Sequence, residues 1–177
     1  MKKLLLLVAV CLVAFPALAQ DAKFKLSLWD EISFTLPKNK IDISGLDLGI
    51  GSTTDYLKGL QLDAVWAETN YEIRGVSVSW AVSKARQAWG AQLSPVNMAE
   101  EISGAQVGAI NMTSEKVTGT QIGLFNNAEN LHGFQVGLVN HAKNIYGLQV
   151  GLLNIAENGI LPVMIFVNGR FDSSFNI

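Results

Sequence analysis

The chain has 177 residues, 49% hydrophobic and 16% charged, with 15 acidic residues against 13 basic ones and a net charge of −2. That length suits one domain of ordinary size. There is no basic tract of the kind that phosphate binding needs, so nucleic acid is not an expected partner, and a single cysteine excludes a disulfide framework.

Residues 1–19 read as a secretory signal. Lys2 and Lys3 supply a positive head, Leu4 to Leu12 an apolar run, and Pro16 a break before Ala17-Leu18-Ala19. The run is shorter than the about 20 residues that span a bilayer, and cleavage is expected between Ala19 and Gln20. Cys11 lies inside this segment, after Val10, which is too large for a lipoprotein signal. The remaining 158 residues carry 11 basic and 15 acidic side chains, a net charge of −4, and no cysteine. No later stretch reaches 18 apolar residues, so no transmembrane helix is expected.

Residues 20–44 read as capping strands. Phe24, Leu26 and Leu28 alternate, as do Ile32 and Phe34 before Pro37. Residues 45–159 then form a repeat array of about eight copies. GLDLGIGS starts at Gly45, GLQLDAVW at Gly59, GVSVSWAV at Gly75 and GAQLSPVN at Gly90. The clearest copies follow: GAQVGAIN at Gly104, GTQIGLFN at Gly119, GFQVGLVN at Gly133 and GLQVGLLN at Gly147. Successive first glycines lie 14 to 16 residues apart, and such a fixed period is the signature of a repeat architecture.

Each block alternates with period two, as Leu148, Val150 and Leu152 do around Gln149 and Gly151, which predicts a β-strand. Asn111, Asn126, Asn140 and Asn154 close their blocks as turn formers. Each linker carries a small residue, often alanine, and an apolar residue two before the next glycine: Leu57, Ile73, Ala88, Ile102, Val117, Leu131 and Ile145. That residue sits three before the next block's first apolar place. The odd spacing calls for a corner or bulge at the intervening glycine if both are to face one way. Residues 160–177 carry a final strand, VMIFVNGRF, after Pro162.

Two all-β architectures satisfy this pattern. The preferred one is a short-repeat β-solenoid with capping strands, its apolar places pointing inward and its Gln and Asn residues stacked as ladders about 4.8 Å apart. The alternative is an antiparallel meander closing into a small outer-membrane β-barrel, a pore or an anchor. Equally short turns and weak aromatic girdles count against the barrel, and ladder-forming residues and odd spacings suit stacking, which favours the solenoid.

The blocks G-[LFV]-Q-[VI]-G-L-[VIL]-N, followed by A-x-N, resemble the repeats of bacterial exported surface repeat proteins, an uncharacterised family of predicted cell-surface proteins. The resemblance covers residues 45–171, most specifically 104–166, and NGILPVMIFV resembles the closing strand. Copies before Gly90 depart from it, with Ser77 in place of Gln and Asp63 in place of Gly. The resemblance implies export and a periplasmic, outer-membrane or cell-surface location. It carries no catalytic residues.

No residue set carries chemistry by itself. His132 and His141 lie in linkers at unequal places, and no G-x-S-x-G accompanies them. Glu100, Glu129 and Glu157 recur in the linkers with Lys143 breaking the row, a pattern of solvated turns and not of a dense calcium cage; the pair Glu100 and Glu101 reads the same way. No glycine opens a P-loop. Trp29, Trp66, Trp80 and Trp89 read as core or cap residues, or as a glycan- or partner-binding surface. The expectation is a non-enzymatic envelope or cell-surface scaffold with no catalytic, cofactor or metal site, presenting its Gln/Gly face or linker edge to an unidentified partner.

Overall fold

The computed structural model describes residues 22–29, 32–36 and 42–171. The signal segment, Cys11 and Pro37 lie outside the described residues. Eight strands form one sheet: β1 (Ala22–Trp29), β2 (Ile32–Leu36), β3 (Ile43–Ser79), β4 (Val82–Leu93), β5 (Val96–Val107), β6 (Ile110–Ile122), β7 (Phe125–Ala156) and β8 (Val163–Arg170), in the order β2-β1-β3-β4-β5-β6-β7-β8. At 37 and 32 residues, β3 and β7 far exceed the usual strand of about six, because each winds through successive coils of a β-solenoid.

Pairing from β3 to β7 is parallel and in register: Gly75 faces Gly90, Gly90 faces Gly104, Gly104 faces Gly119 and Gly119 faces Gly133. Each residue meets its own counterpart one coil along. An antiparallel meander cannot produce that register, so the barrel alternative fails. Unequal repeat lengths are absorbed in the linkers, at Thr69/Glu72, Ala99/Glu101 and Thr113/Lys116.

The block-opening glycines make one column from Gly45 to Gly147, with φ between 136° and 157°. A Cβ on Gly133 would stand 2.0 Å from the Gly119 carbonyl oxygen, and the same holds for Gly147 over Gly133. Here both the positive φ and the close backbone approach demand glycine.

The expectation that the block's apolar residues point inward is overturned. Ile145, Gly147 and Gln149 follow one another at even spacing, so the linker's apolar residue and the glutamine share a face. Leu57, Ile73, Ala88, Ile102, Val117, Leu131 and Ile145 are buried, and so are Gln61, Gln92, Gln106, Gln121, Gln135 and Gln149. Leu148, Val150 and Leu152 therefore point outward, and Leu152 is 59% exposed. The odd spacing needed no corner to reconcile it, because the two apolar residues lie on opposite faces. The Gln/Gly face expected to meet a partner is the interior.

Two amide ladders fill that interior. Gln106 Nε2 donates to Gln92 Oε1, Gln121 to Gln106, Gln135 to Gln121 and Gln149 to Gln135, at 2.7–2.8 Å. The second amide hydrogen crosses the coil, from Gln121 to the Asn127 carbonyl and from Gln135 to that of His141. The asparagines run the other way: Asn97 Nδ2 donates to Asn111 Oδ1, Asn111 to Asn126, Asn126 to Asn140 and Asn140 to Asn154. Each also donates to a backbone carbonyl of the following coil, as Asn126 does to Val136. The acceptors left unpaired, Gln149 Oε1 and Asn97 Oδ1, are those at the acceptor ends of the two ladders.

The ends are closed by antiparallel strands. β1 pairs parallel with the first coil and antiparallel with β2, while β8 pairs antiparallel with the last coil. The buried glutamine column is continued by Lys25 opposite Asp47 at one end and by Asn168 opposite Gln149 at the other.

Two predictions test this packing. A Cβ on Gly137 would stand 2.4 Å from the Gly123 oxygen and 2.6 Å from Asn126 Nδ2, so Gly137→Val should cost about 3 kcal/mol or more, while exposed Lys143→Ala stays within about 0.5 kcal/mol; equal melting shifts for the two would refute the stacking. Gln121→Leu should cost about 2–4 kcal/mol in chemical denaturation, because it removes the acceptor of the fully buried Gln135 amide.

Candidate functional site

Parity along the blocks sorts the chemistry into three places: an outer apolar face, a charged linker edge and a polar interior. The second, fourth and sixth block places run Leu46, Leu48, Ile50 in the first copy to Leu148, Val150, Leu152 in the last. No charged residue occupies any of them, and Thr120 is the one polar side chain. The central row is continuous across the caps. Phe34 pairs with Leu26 and Leu26 with Leu48 at one end, Leu93 with Val107 and Val107 with Ile122 in the middle, and Val150 with Val167 at the other end. None of these rows is buried. Eight coils and the three capping strands β1, β2 and β8, eleven layers at about 4.8 Å, and five residues at about 3.3 Å give a face of about 800 Å² in projection.

Charge is confined to the other sides. Lys84 pairs with Glu68 at 2.7 Å, Arg86 with Glu100 at 2.9 Å and Lys143 with Glu129 at 3.2 Å, each bridging one linker to a neighbouring one. A shallow open groove of about 370 Å³ runs along this edge between Glu68, Arg86, Met98 and Asn127. Its charges are already matched across coils. Among the described residues no three His, Cys, Asp or Glu side chains converge.

The two histidines are held by neighbours one coil away. His141 Nδ1 lies 2.7 Å from Asn127 Oδ1. His132 stacks on Tyr146 with ring centroids 4.9 Å apart, and partial burial followed by the Lys116 charge pulls its pKa below the ordinary histidine value. Among the described residues neither histidine hydrogen-bonds a serine, threonine or carboxylate side chain. Trp80 is 82% exposed and Trp89 is also exposed, which corrects their reading as core or cap residues. Trp66 is half-buried and its ring fills the space over Gly51. The Trp29 side chain lies outside the described residues.

The sequence reading missed a buried carboxylate pair at the amino-terminal end of the glutamine column. Asp47 occupies the glutamine place of its copy and Asp63 a glycine place. Both are inward by the same parity that turns glutamine inward, and that parity was the signal available. Asp47 Oδ2 accepts from Ser52 at 2.6 Å and from Gln61 at 3.3 Å. Neither oxygen of Asp63 has a hydrogen-bond partner among the described residues. Its Oδ1 stands 2.5 Å from where a Cβ on Gly49 would lie. Burial, then the charge of Asp47, pushes the Asp63 carboxyl up to about 8, against weaker opposing pulls from Lys25 and from the nearby Gln61 amide, which lies outside hydrogen-bond geometry. Burial also raises Asp47, opposed by Ser52, Lys25 and Gln61.

A carboxyl raised in the folded state holds a proton that the unfolded chain releases near pH 4. Its contribution to stability is therefore full below about pH 4 and is lost as pH rises toward about 8. Asp63→Asn fixes the neutral form. Thermal melts should show the variant several degrees above wild type at pH 8, corresponding to about 1–2 kcal/mol, and level with it at pH 4. A variant less stable than wild type at pH 8 would contradict the assignment.

Comparison with known proteins finds no matching family model, no matching curated protein and no matching solved structure.

Proposed function

We propose that this chain is an exported, non-enzymatic envelope or cell-surface repeat protein, acting as a rigid scaffold that engages its partner through the outer apolar face. The observation that carries this reading is the uncharged face itself. At about 800 Å² it exceeds the roughly 300–600 Å² of the largest apolar patch on a typical monomer. Its rows stay uncharged over eight copies, and apolar but for Thr120, while the linkers vary in sequence, length and charge. Stability does not require that identity, since these side chains sit outside the core. The amino-terminal segment and the resemblance of the repeats to exported surface proteins support the location. The linker ion pairs and the isolated histidines support a role without catalysis.

Expression of the full chain in a Gram-negative host tests it. The protein should fractionate with the cell envelope. Val136→Glu or Ile122→Lys, each placing one charge on the central row, should shift most of it to the soluble fraction, while His132→Ala together with His141→Ala should leave its distribution unchanged. Envelope retention unaffected by both charge substitutions would overturn the reading.

A further inference from the structure

We propose that the occupant of the outer face is a second copy of this chain, packed face to face about a two-fold axis between the Gly104 and Gly119 coils; this rests on reading that face as an interaction surface. The first support is relief. In the coils opening at Gly90 and Gly104 the second and sixth places are Ala91, Pro95, Ala105 and Ala109, which form a shallow hollow. In the next two coils they are Thr120, Leu124, Phe134 and Leu138, which form a ridge, with Phe134 51% and Leu138 48% exposed. A two-fold axis parallel to the strands and midway between the Gly104 and Gly119 coils sets each ridge into the other copy's hollow. Ala91 then faces the other copy's Phe134, Pro95 faces Leu138 and Ala109 faces Leu124. Val107 meets Ile122 beside the axis, and Leu93 meets Val136.

The second support is area. This register overlaps eight strands, on the order of 600 Å² per copy, or about 1,200 Å² in all. That clears the about 1,000 Å² expected of a specific interface. The third support is what is closed. Antiparallel β2 and β8 occupy the two ends of the sheet, so ordinary edge-to-edge pairing has no parallel template to continue. A two-fold contact on the face covers eight of its eleven strand layers and stops at two. Charge argues against an anionic bilayer as occupant, because no basic residue lies in the rows and the chain is net acidic once its leader is removed.

The test uses the purified exported protein in buffer without detergent. Sedimentation equilibrium should give a dimer, and Val136→Glu should make it monomeric with an unchanged circular dichroism spectrum. Exported protein carries no native cysteine once Cys11 has left with the leader, so single cysteines can report the register. Val107→Cys should cross-link through a bismaleimide spanning about 10 Å, the distance between packed sheets, whereas Leu62→Cys, several coils from the axis, should not. A monomeric wild type would overturn the dimer, as would equal cross-linking at both positions or a dimer indifferent to Val136→Glu. Should a monomeric wild type instead co-sediment with neutral phosphatidylcholine vesicles, and Val136→Glu not, the dimer falls while the interaction face stands. If Val136→Glu changes neither oligomeric state, vesicle binding nor envelope retention, both readings fall together.

Discussion

Everything in this fold follows from one requirement: an amide buried in the coil must find its partner one coil away. Parallel in-register stacking repeats each backbone position about every 4.8 Å, close to the separation at which one carboxamide can donate to the next. The glutamines meet at 2.7–2.8 Å along their column. A ladder of that kind tolerates a polar interior, because each buried group is paired and each pair polarises the next. It also accounts for the glycines. The opening column lets the backbones approach, and the fifth-place glycines leave room for the asparagine amides of the neighbouring coil.

The opposed directions of the two ladders have a simple electrostatic consequence. The glutamine amides donate toward the amino-terminal coils and the asparagine amides toward the carboxy-terminal ones, so their dipoles oppose along the rod. The glutamine ladder delivers its donors through Gln61 to Asp47, an acceptor without competing protons while it is ionised. The regular pattern breaks down at this end. Ser77 and Ser83 relay between Gln61 and Gln92, and Asp63 sits in a place that five other copies leave to glycine and two to Ser79 and Ser94. The first half thus forms coils on the same pitch with a less uniform interior, and that irregularity concentrates the titratable groups there.

With the interior committed to amides and a narrow seam of Leu, Ile, Val and Ala, the remaining apolar residues have no place but the outside. Charge is excluded from their rows and collected on the linkers, where it is spent on ion pairs between coils. Surface pairs of this type contribute little to stability, so the linkers are free to vary. Capped ends beside an open face leave a broad, uncharged apolar surface among the described residues.

The all-β class, the repeat and its phase, the capping strands and the ladder residues were legible in the sequence, because period two and a constant 14–16-residue spacing are local properties. The solenoid was preferred to the barrel on the same ground: polar residues kept in fixed places suit stacking. Which face of each strand lies inside was decided only by the tertiary structure. Period two offers two faces and does not say which is buried, and the ordinary preference for apolar interiors pointed the wrong way. Ile145 and Leu148, three apart, cannot both be inside on one strand, and stacking resolved the choice in favour of the side on which amides satisfy one another. Asp47, Asp63 and the outer face were hidden from the sequence reading for that one reason.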